Sequence, residues 1–137
     1  MKKTCELLIL FAVGALVYLC IELLWRGHTH WTMGIVGGLA FVIIGGLNEQ
    51  YEWDMSFLKQ CVIGALVITC IEFVAGVILN IELGLGIWDY SNLPFNIMGQ
   101  ICLPFSLLWV ILSGVAIVLD DILRYLLFGE EKPHYRF

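Results

Sequence analysis

Apolar residues arrive in four long runs separated by short polar breaks. A helix needs about 20 apolar residues to span the hydrocarbon core of a bilayer. The first run extends from about Cys5 to Trp25, interrupted only by Glu6 at its start and Glu22 near its end. The second, Trp31 to about Leu47, carries no charge. The third, Phe57 to about Leu79, has Lys59 at its beginning and Glu72 inside. The fourth, Ile97 to about Leu119, is uncharged and holds Pro104 in its first turns. Lys2 and Lys3 precede the first run as they would in a signal peptide, but the run is too long and lacks a small-x-small cleavage site, so a retained helix is expected. The pattern predicts an all-α, polytopic transmembrane four-helix bundle. It forms a single domain over 1–137, with helices at about 5–25, 31–47, 57–79 and 97–119.

The connections differ in kind. Residues 80–96, between the third and fourth helices, are too apolar for an ordinary wet loop: Ile81, Leu83, Leu85, Ile87, Trp88, Leu93 and Phe95 fill them. Irregular backbone at that depth needs protein or a water-filled cavity to satisfy it. A re-entrant or interfacial cap over the outer mouth of the bundle is therefore expected. Residues 48–56 read as a tight acidic-aromatic turn, with Asp54 or Ser56 capping the third helix. Asp120, Asp121 and Arg124 ride on an apolar continuation through Phe128, read as the cytoplasmic end of the fourth helix or an interfacial helix. A short cytoplasmic tail, 129–137, follows.

The chain also repeats itself. Gly14-Ala15-Leu16-Val17 followed by Cys20-Ile21-Glu22 returns fifty residues later as Gly64-Ala65-Leu66-Val67 followed by Cys70-Ile71-Glu72, with seven of nine positions identical. Met33-Gly34 and Met98-Gly99 form a weaker echo. The unit is one helical hairpin used twice, about 5–47 and 57–119. Each unit holds two spans, so both copies enter the membrane in the same direction, and transporter sites commonly lie between such repeats.

Composition fixes the solvent and charge the orientation. Of 137 residues, 61% are hydrophobic and 14% charged, and mean hydropathy is +0.92. Ordinary soluble domains carry about 25% charged residues, and one this short leaves much of its surface wet. A cytosolic enzyme domain and a disordered tail are thereby excluded. A net charge of -5 offers no basic face to nucleic acid. With a cytoplasmic N-terminus, the inside segments hold Lys2, Lys3, Lys59, Arg124, Lys132 and Arg136, and the outside segments hold Arg26 alone. The positive-inside rule then places both termini in the cytoplasm. Trp25, Trp31, Trp88 and Tyr90 belong to the outer interface, and Tyr51, Trp53, Tyr125 and Phe128 to the inner one. Cysteines 5, 20, 61, 70 and 102 contain no C-x-x-C pair and read as small helix-packing residues.

Small residues mark the faces that meet. Gly34, Gly38 and Gly45 lie along one side of the second helix, allowing close approach where water cannot drive association. Gly64, Ile68, Glu72, Gly76 and Asn80 follow i+4 steps on the third, and Gly14, Tyr18, Glu22 and Arg26 do so on the first. Both stripes should face protein. Ionisable groups within spans are costly and are candidate functional residues. Glu22 and Arg26 form an i, i+4 pair, either a gate or a structural pair that ends the helix. Glu72 has Gly76 where Arg26 stands in the first copy, so no local cation compensates it. It is protonated, borrows Arg26 across the bundle, or binds a cationic ligand. Trp88, Asp89, Tyr90 and Ser91 gather a carboxylate, two aromatics and a hydroxyl, and Asn80, Asn92, Asn96 and Gln100 add amides nearby. Aromatic faces beside a carboxylate suit a cationic or amphipathic ligand. An interfacial belt plus an Asp turn is the plainer alternative. His28 and His30 could contribute to a transition-metal site, though two loop histidines are more often interfacial, and no metal or cofactor is expected. No phosphate-binding loop, H-E-x-x-H or nucleophile elbow occurs in the sequence.

Ile71-Glu72 with Gly76 and Asn80, then Trp88-Asp89-Tyr90-Ser91, Pro94, Asn96-Ile97, Gly99-Gln100-Ile101 and Trp109, resembles the signature of the bacterial ABC-transporter type IV (CmpB-like) membrane proteins. The resemblance covers most of the chain and is densest from Glu72 to Trp109. It implies a multi-helix inner-membrane protein, mainly of Gram-positive bacteria, acting as a permease subunit. An ATP-driven permease would require a separate ATPase on the cytoplasmic side, and four spans would require an oligomer, here a homodimer. The leading expectation is a small transporter or permease-like protein in the bacterial plasma membrane. Glu72 and Asp89 would bind a proton, cation or cationic solute, with Trp88 and Tyr90 shaping the outer mouth. The alternatives are a non-transporting accessory or sensor protein that binds a partner or lipid through its cap, and a membrane-embedded enzyme, which would need Glu72, Asp89 and His28 or His30 to converge.

Overall fold

The computed structural model describes residues 2–46, 56–130, 133 and 135. The first apolar run forms α1, Lys2–Arg26, whose 25 residues reach about 37 Å at 1.5 Å per residue. The second forms α2, Trp31–Gly45, a shorter apolar helix of 15 residues. His30 stands at its N-cap, with Nδ1 accepting from the Thr32 amide at 3.3 Å. The third forms α3, Phe57–Gly76, capped by Ser56, whose hydroxyl accepts from the Lys59 amide at 3.3 Å. Asp54, the other candidate cap, lies outside the described residues, as do Tyr51, Trp53, Lys132, Arg136 and the expected end of the second helix at Leu47. The last helix is α4, Leu103–Phe128. Three of the four helical segments, α1, α3 with its continuation, and α4, are long and apolar enough to cross a membrane. The described residues form an all-helical bundle without a named strand.

Two boundaries differ from the sequence reading. α3 does not stop near Leu79 but widens into π geometry over Val77–Glu82, carrying Asn80 past the end of the regular helix. α4 starts at Leu103 rather than near Ile97, with Pro104 in its first turn, where a missing N–H leaves no helical bond unmade. It also runs on to Phe128, ending at Gly129 in the left-handed region (φ 68°).

α1 packs mainly on α2 and α3 on α4, while α2 reaches across to both α3 and α4. α1 and α4 barely touch. The seams are built on glycine: a Cβ at Gly37 would lie 2.5 Å from the Tyr18 Cβ, and one at Gly64 would lie 2.7 Å from the Ser113 hydroxyl oxygen. Gly34, Gly38 and Gly45 are buried as their spacing predicts, and the α1 and α3 stripes turn inward with Glu22 and Glu72 both buried. Outward faces are the reverse. Leu8, Leu16, Leu66, Leu107 and Ile111 are all exposed, as helices surrounded by lipid require. Cys61 and Cys102 pack inside, but Cys5, Cys20 and Cys70 are exposed, so packing does not account for all five.

At the far end of α4, Asp120, Asp121 and Arg124 ride on a continuation of that helix through Phe128. All three are buried, together with Gln60 and Ser113. The Arg124 Nε donates to Asp120 Oδ2 at 2.8 Å, Arg124 Nη1 lies 3.6 Å from Glu130 Oε2, and the Tyr135 hydroxyl donates to Asp121 Oδ2 at 2.8 Å. Tyr135 also packs on Phe57, with ring centroids 4.9 Å apart. Burial first, then the bond to Asp121, hold the Tyr135 hydroxyl above its ordinary pKa.

Candidate functional site

The opposite end of the bundle is closed by residues 83–102, which fold over α1, α3 and α4 as a non-helical cap. Amides that the sequence marked as candidate site residues hold it together. Asn80 donates through Nδ2 to Gln100 Oε1 at 2.8 Å and accepts the Ile87 amide at 2.6 Å. Gln100 donates to the Met98 carbonyl at 2.9 Å, and its own carbonyl accepts Trp88 Nε1 at 3.0 Å. Asn96 donates to the Leu93 carbonyl at 2.9 Å and accepts the Gly99 amide at 3.1 Å. Gly99 has φ 73°, which favours glycine, and a Cβ there would meet Asp89 Oδ1 at 2.7 Å. Asn80, Asn96 and Gln100 are thus the cap's internal scaffold. Their polar groups satisfy backbone that would otherwise be orphaned at this depth.

Asp89 does not join Glu72. It is exposed, its Oδ1 accepts the Ser91 amide at 2.9 Å, and that bond holds its carboxyl below the ordinary range. The alternating direction of an extended segment is the reason: Trp88 and Tyr90 turn inward and Asp89 turns out. Trp88 is buried, whereas Trp25 and Trp31 are exposed. His28, His30 and Asp89 line neither of the cavities described below.

Glu72 is the buried centre. Its Oε2 accepts the Tyr90 hydroxyl at 2.8 Å and its Oε1 accepts Trp109 Nε1 at 3.2 Å. α3 supplies the carboxylate, the cap the phenol and α4 the indole, so three elements meet on one side chain. Tyr90 stacks on Phe105 with centroids 4.8 Å apart and planes 11° apart, and Phe105 leans toward Trp109 at 6.4 Å. Burial, followed by the field of Glu72, raises the Tyr90 hydroxyl above its ordinary pKa and keeps it a donor. Glu22 on α1 sits close by. Arg26 Nε approaches Glu22 Oε2 at 3.1 Å, Thr29 donates to Glu22 Oε1 at 3.0 Å, and Arg26 Nη1 donates to the Ile87 carbonyl at 3.0 Å. Arg26 therefore ties α1 to the cap and is not borrowed by Glu72.

These groups border a cavity of about 280 Å³, lined by Tyr18, Glu22 and Arg26 from α1, Glu72 from α3, Trp88 and Tyr90 from the cap, and Phe105 and Trp109 from α4. A second cavity of about 110 Å³ adjoins it, sharing Tyr18, Glu72 and Trp109 and continuing between Val17 of α1 and Leu112, Ala116 and Leu119 of α4. Sequence reading missed Phe105, Trp109 and the Tyr18 wall as site residues. Counting a tryptophan or tyrosine as apolar hides its donor; the available signals were Trp109 in the family signature and Tyr18 on the same i+4 stripe as Glu22.

Long apolar helices, glycine seams and the carboxylates Glu22, Glu72, Asp120 and Asp121 buried between helices define a multi-helix integral membrane protein. Its family is also evident: the sequence signature of the family described as Putative ABC-transporter type IV matches residues 7–128, and the chain belongs to that family. No curated protein and no solved structure matches the chain.

Proposed function

We propose that this protein is a membrane transporter or permease-like subunit whose Glu72 carboxylate binds a proton, cation or cationic solute. The observation that carries this reading is a buried carboxylate beside a cavity, held by two donors among the described residues and flanked by aromatic faces. A carboxylate has about four acceptor sites, so Glu72 retains capacity for a further donor. Stacked Tyr90 and Phe105 add the electron-rich surface that attracts cations. Glu22 and Arg26 act as the gate or structural pair, since their ion pair fastens α1 to the cap that closes the cavity. The cap's scaffold amides and Asp89 position the site from outside it.

The remaining assignments belong to the same reading. Positive charge at the termini supports a plasma-membrane protein with both ends in the cytoplasm. The two hairpins, each with a buried glutamate on its first helix, support a tandem repeat, and pairing of chains as a homodimer would supply the spans that one copy lacks. The family description implies an ATPase, and the 137 residues contain no phosphate-binding loop that would supply one.

The test uses inverted membrane vesicles from cells carrying the wild-type chain, Glu72→Gln or no copy, which retain any partner. Accumulation of ethidium and of protons should exceed the no-copy background in wild type and fall to background in Glu72→Gln. Wild-type vesicles at background, or Glu72→Gln vesicles equal to wild type, overturn the proposal.

A further inference from the structure

We propose that the cleft between α1 and α4 binds an ammonium-headed phospholipid, with its head beside Glu72 and one acyl chain laid along the apolar extension. This rests on the reading of Glu72 as a ligand-binding carboxylate and names the chemistry of the ligand.

Polarity is confined to one end of the cleft. Glu22, Arg26, Glu72 and Tyr90 border the larger cavity under the cap, whereas the adjoining extension between Val17 and Leu112, Ala116 and Leu119 is apolar. A small hydrated cation has no use for that extension; a molecule with a tail does. The cleft also opens in the right direction. α1 and α4 barely touch, and Val17, Ile21 and Val115, which border it, are exposed apolar side chains within spanning helices. Its mouth therefore faces the hydrocarbon layer, from which an acyl chain enters without meeting water. The extension is lined by apolar side chains of α1, α2, α3 and α4, the surroundings a single acyl chain takes up.

The polar end matches a zwitterion. Glu72 with the Tyr90, Phe105 and Trp109 rings presents a carboxylate and aromatic faces to an ammonium. On the same cavity, Arg26 has a buried Nε and Nη2 that make no hydrogen bond; Nε lies 3.1 Å from Glu22 Oε2 as an ion pair, Nη1 donates to the Ile87 carbonyl, and Nη2 has neither contact. Leaving a buried guanidinium nitrogen unmade is costly, and a phosphodiester oxygen is the acceptor a lipid would bring. Ammonium to Glu72 and phosphate to Arg26 is the pattern of an ethanolamine phospholipid. A glycerol-headed lipid offers the phosphate and lacks the cation.

The experiment is photolabelling of the purified full-length chain in maltoside with diazirine-tailed phosphatidylethanolamine or phosphatidylglycerol, mapped by peptide mass spectrometry. Ethanolamine lipid should label the α1 and α4 segments around Val17 and Leu112 with an affinity about tenfold above glycerol lipid. Glu72→Gln should remove about that tenfold preference, leaving glycerol lipid unaffected. Ala116→Trp, which fills the extension, should abolish labelling there by both lipids and keeps the test open should Glu72→Gln fail to fold. Equal labelling by both heads, labelling spread evenly over all lipid-facing helices, or indifference to Ala116→Trp overturns the inference. Failure here with intact Glu72-dependent vesicle flux leaves the transport reading standing; lipid labelling without flux removes transport and leaves the lipid site.

Discussion

Removing one hydroxyl from Tyr90 measures how strongly the cap is tied to the buried glutamate. Tyr90→Phe deletes the donor that reaches Glu72 Oε2 at 2.8 Å and leaves the ring on Phe105, with centroids 4.8 Å apart. Glu72→Leu removes the acceptor at similar size. With both changes in one chain, the interaction is lost only once, so a double-mutant cycle isolates it. A hydrogen bond to a charged group contributes about 1.5–3 kcal/mol and one between neutral groups about 0.5–1.5 kcal/mol. Cycles within membrane proteins average nearer ~0.6 kcal/mol, because the unfolded chain in the membrane also finds partners. Glu72 is only 6% exposed, so solvent has little access to replace the phenol. The expected coupling is therefore about 1–2 kcal/mol, roughly a 5- to 30-fold change in the folded-to-unfolded ratio. It is read from reversible unfolding in mixed maltoside and dodecyl sulfate micelles, followed by tryptophan emission. Additive single effects, within about 0.3–0.5 kcal/mol, would refute the claim that this bond joins cap and bundle.

Two further outcomes check other parts of the architecture. Gly37→Val places carbon where the Tyr18 Cβ is 2.5 Å from an ideal Cβ, so α1 and α2 must separate; the cost should be about 1–3 kcal/mol, seen as a lower Tm in detergent, and an unchanged Tm removes the glycine seam from the argument. Asp89 has its carboxyl held below the ordinary range by the Ser91 amide, so the unfolded form takes up a proton first as pH falls. The turn's stabilisation is complete above the ordinary carboxyl range and is lost as pH drops through the lowered value. Amide protection across the cap should decline on acidification in wild type and stay level in Asp89→Asn, whose side-chain oxygen still accepts; the same acid loss in both variants contradicts this account.

How far the sequence reaches is visible residue by residue. The helices were legible because transfer into lipid is close to additive along a run of about 20 residues and needs no knowledge of neighbours. The inward stripes were legible too: Gly64, Glu72 and Gly76 share a face through the helical period alone, and each is buried. Even the existence of a cap followed from apolar residues with nowhere wet to go.

What lies opposite what was decided only in three dimensions. Asp89 and Glu72 were paired by type, yet the extended backbone around Trp88 sends neighbouring side chains to opposite faces, and Tyr90 reaches Glu72 instead. Asn96 and Gln100 resembled ligand groups and proved to be the cap's own hydrogen-bond partners, because buried backbone claims the nearest amides first. Asp120 and Arg124 showed in the sequence only as charges on an apolar helix end, and are buried on each other, since a pair of opposite charges can enter an interior that either alone could not. Hydropathy is a property of single residues and periods; satisfaction of a buried polar atom is a property of pairs distant in the chain. The sequence therefore determined the solvent, the helices and their inward faces, and the packing of α1, α3, α4 and the cap determined which of the scarce charges borders a cavity.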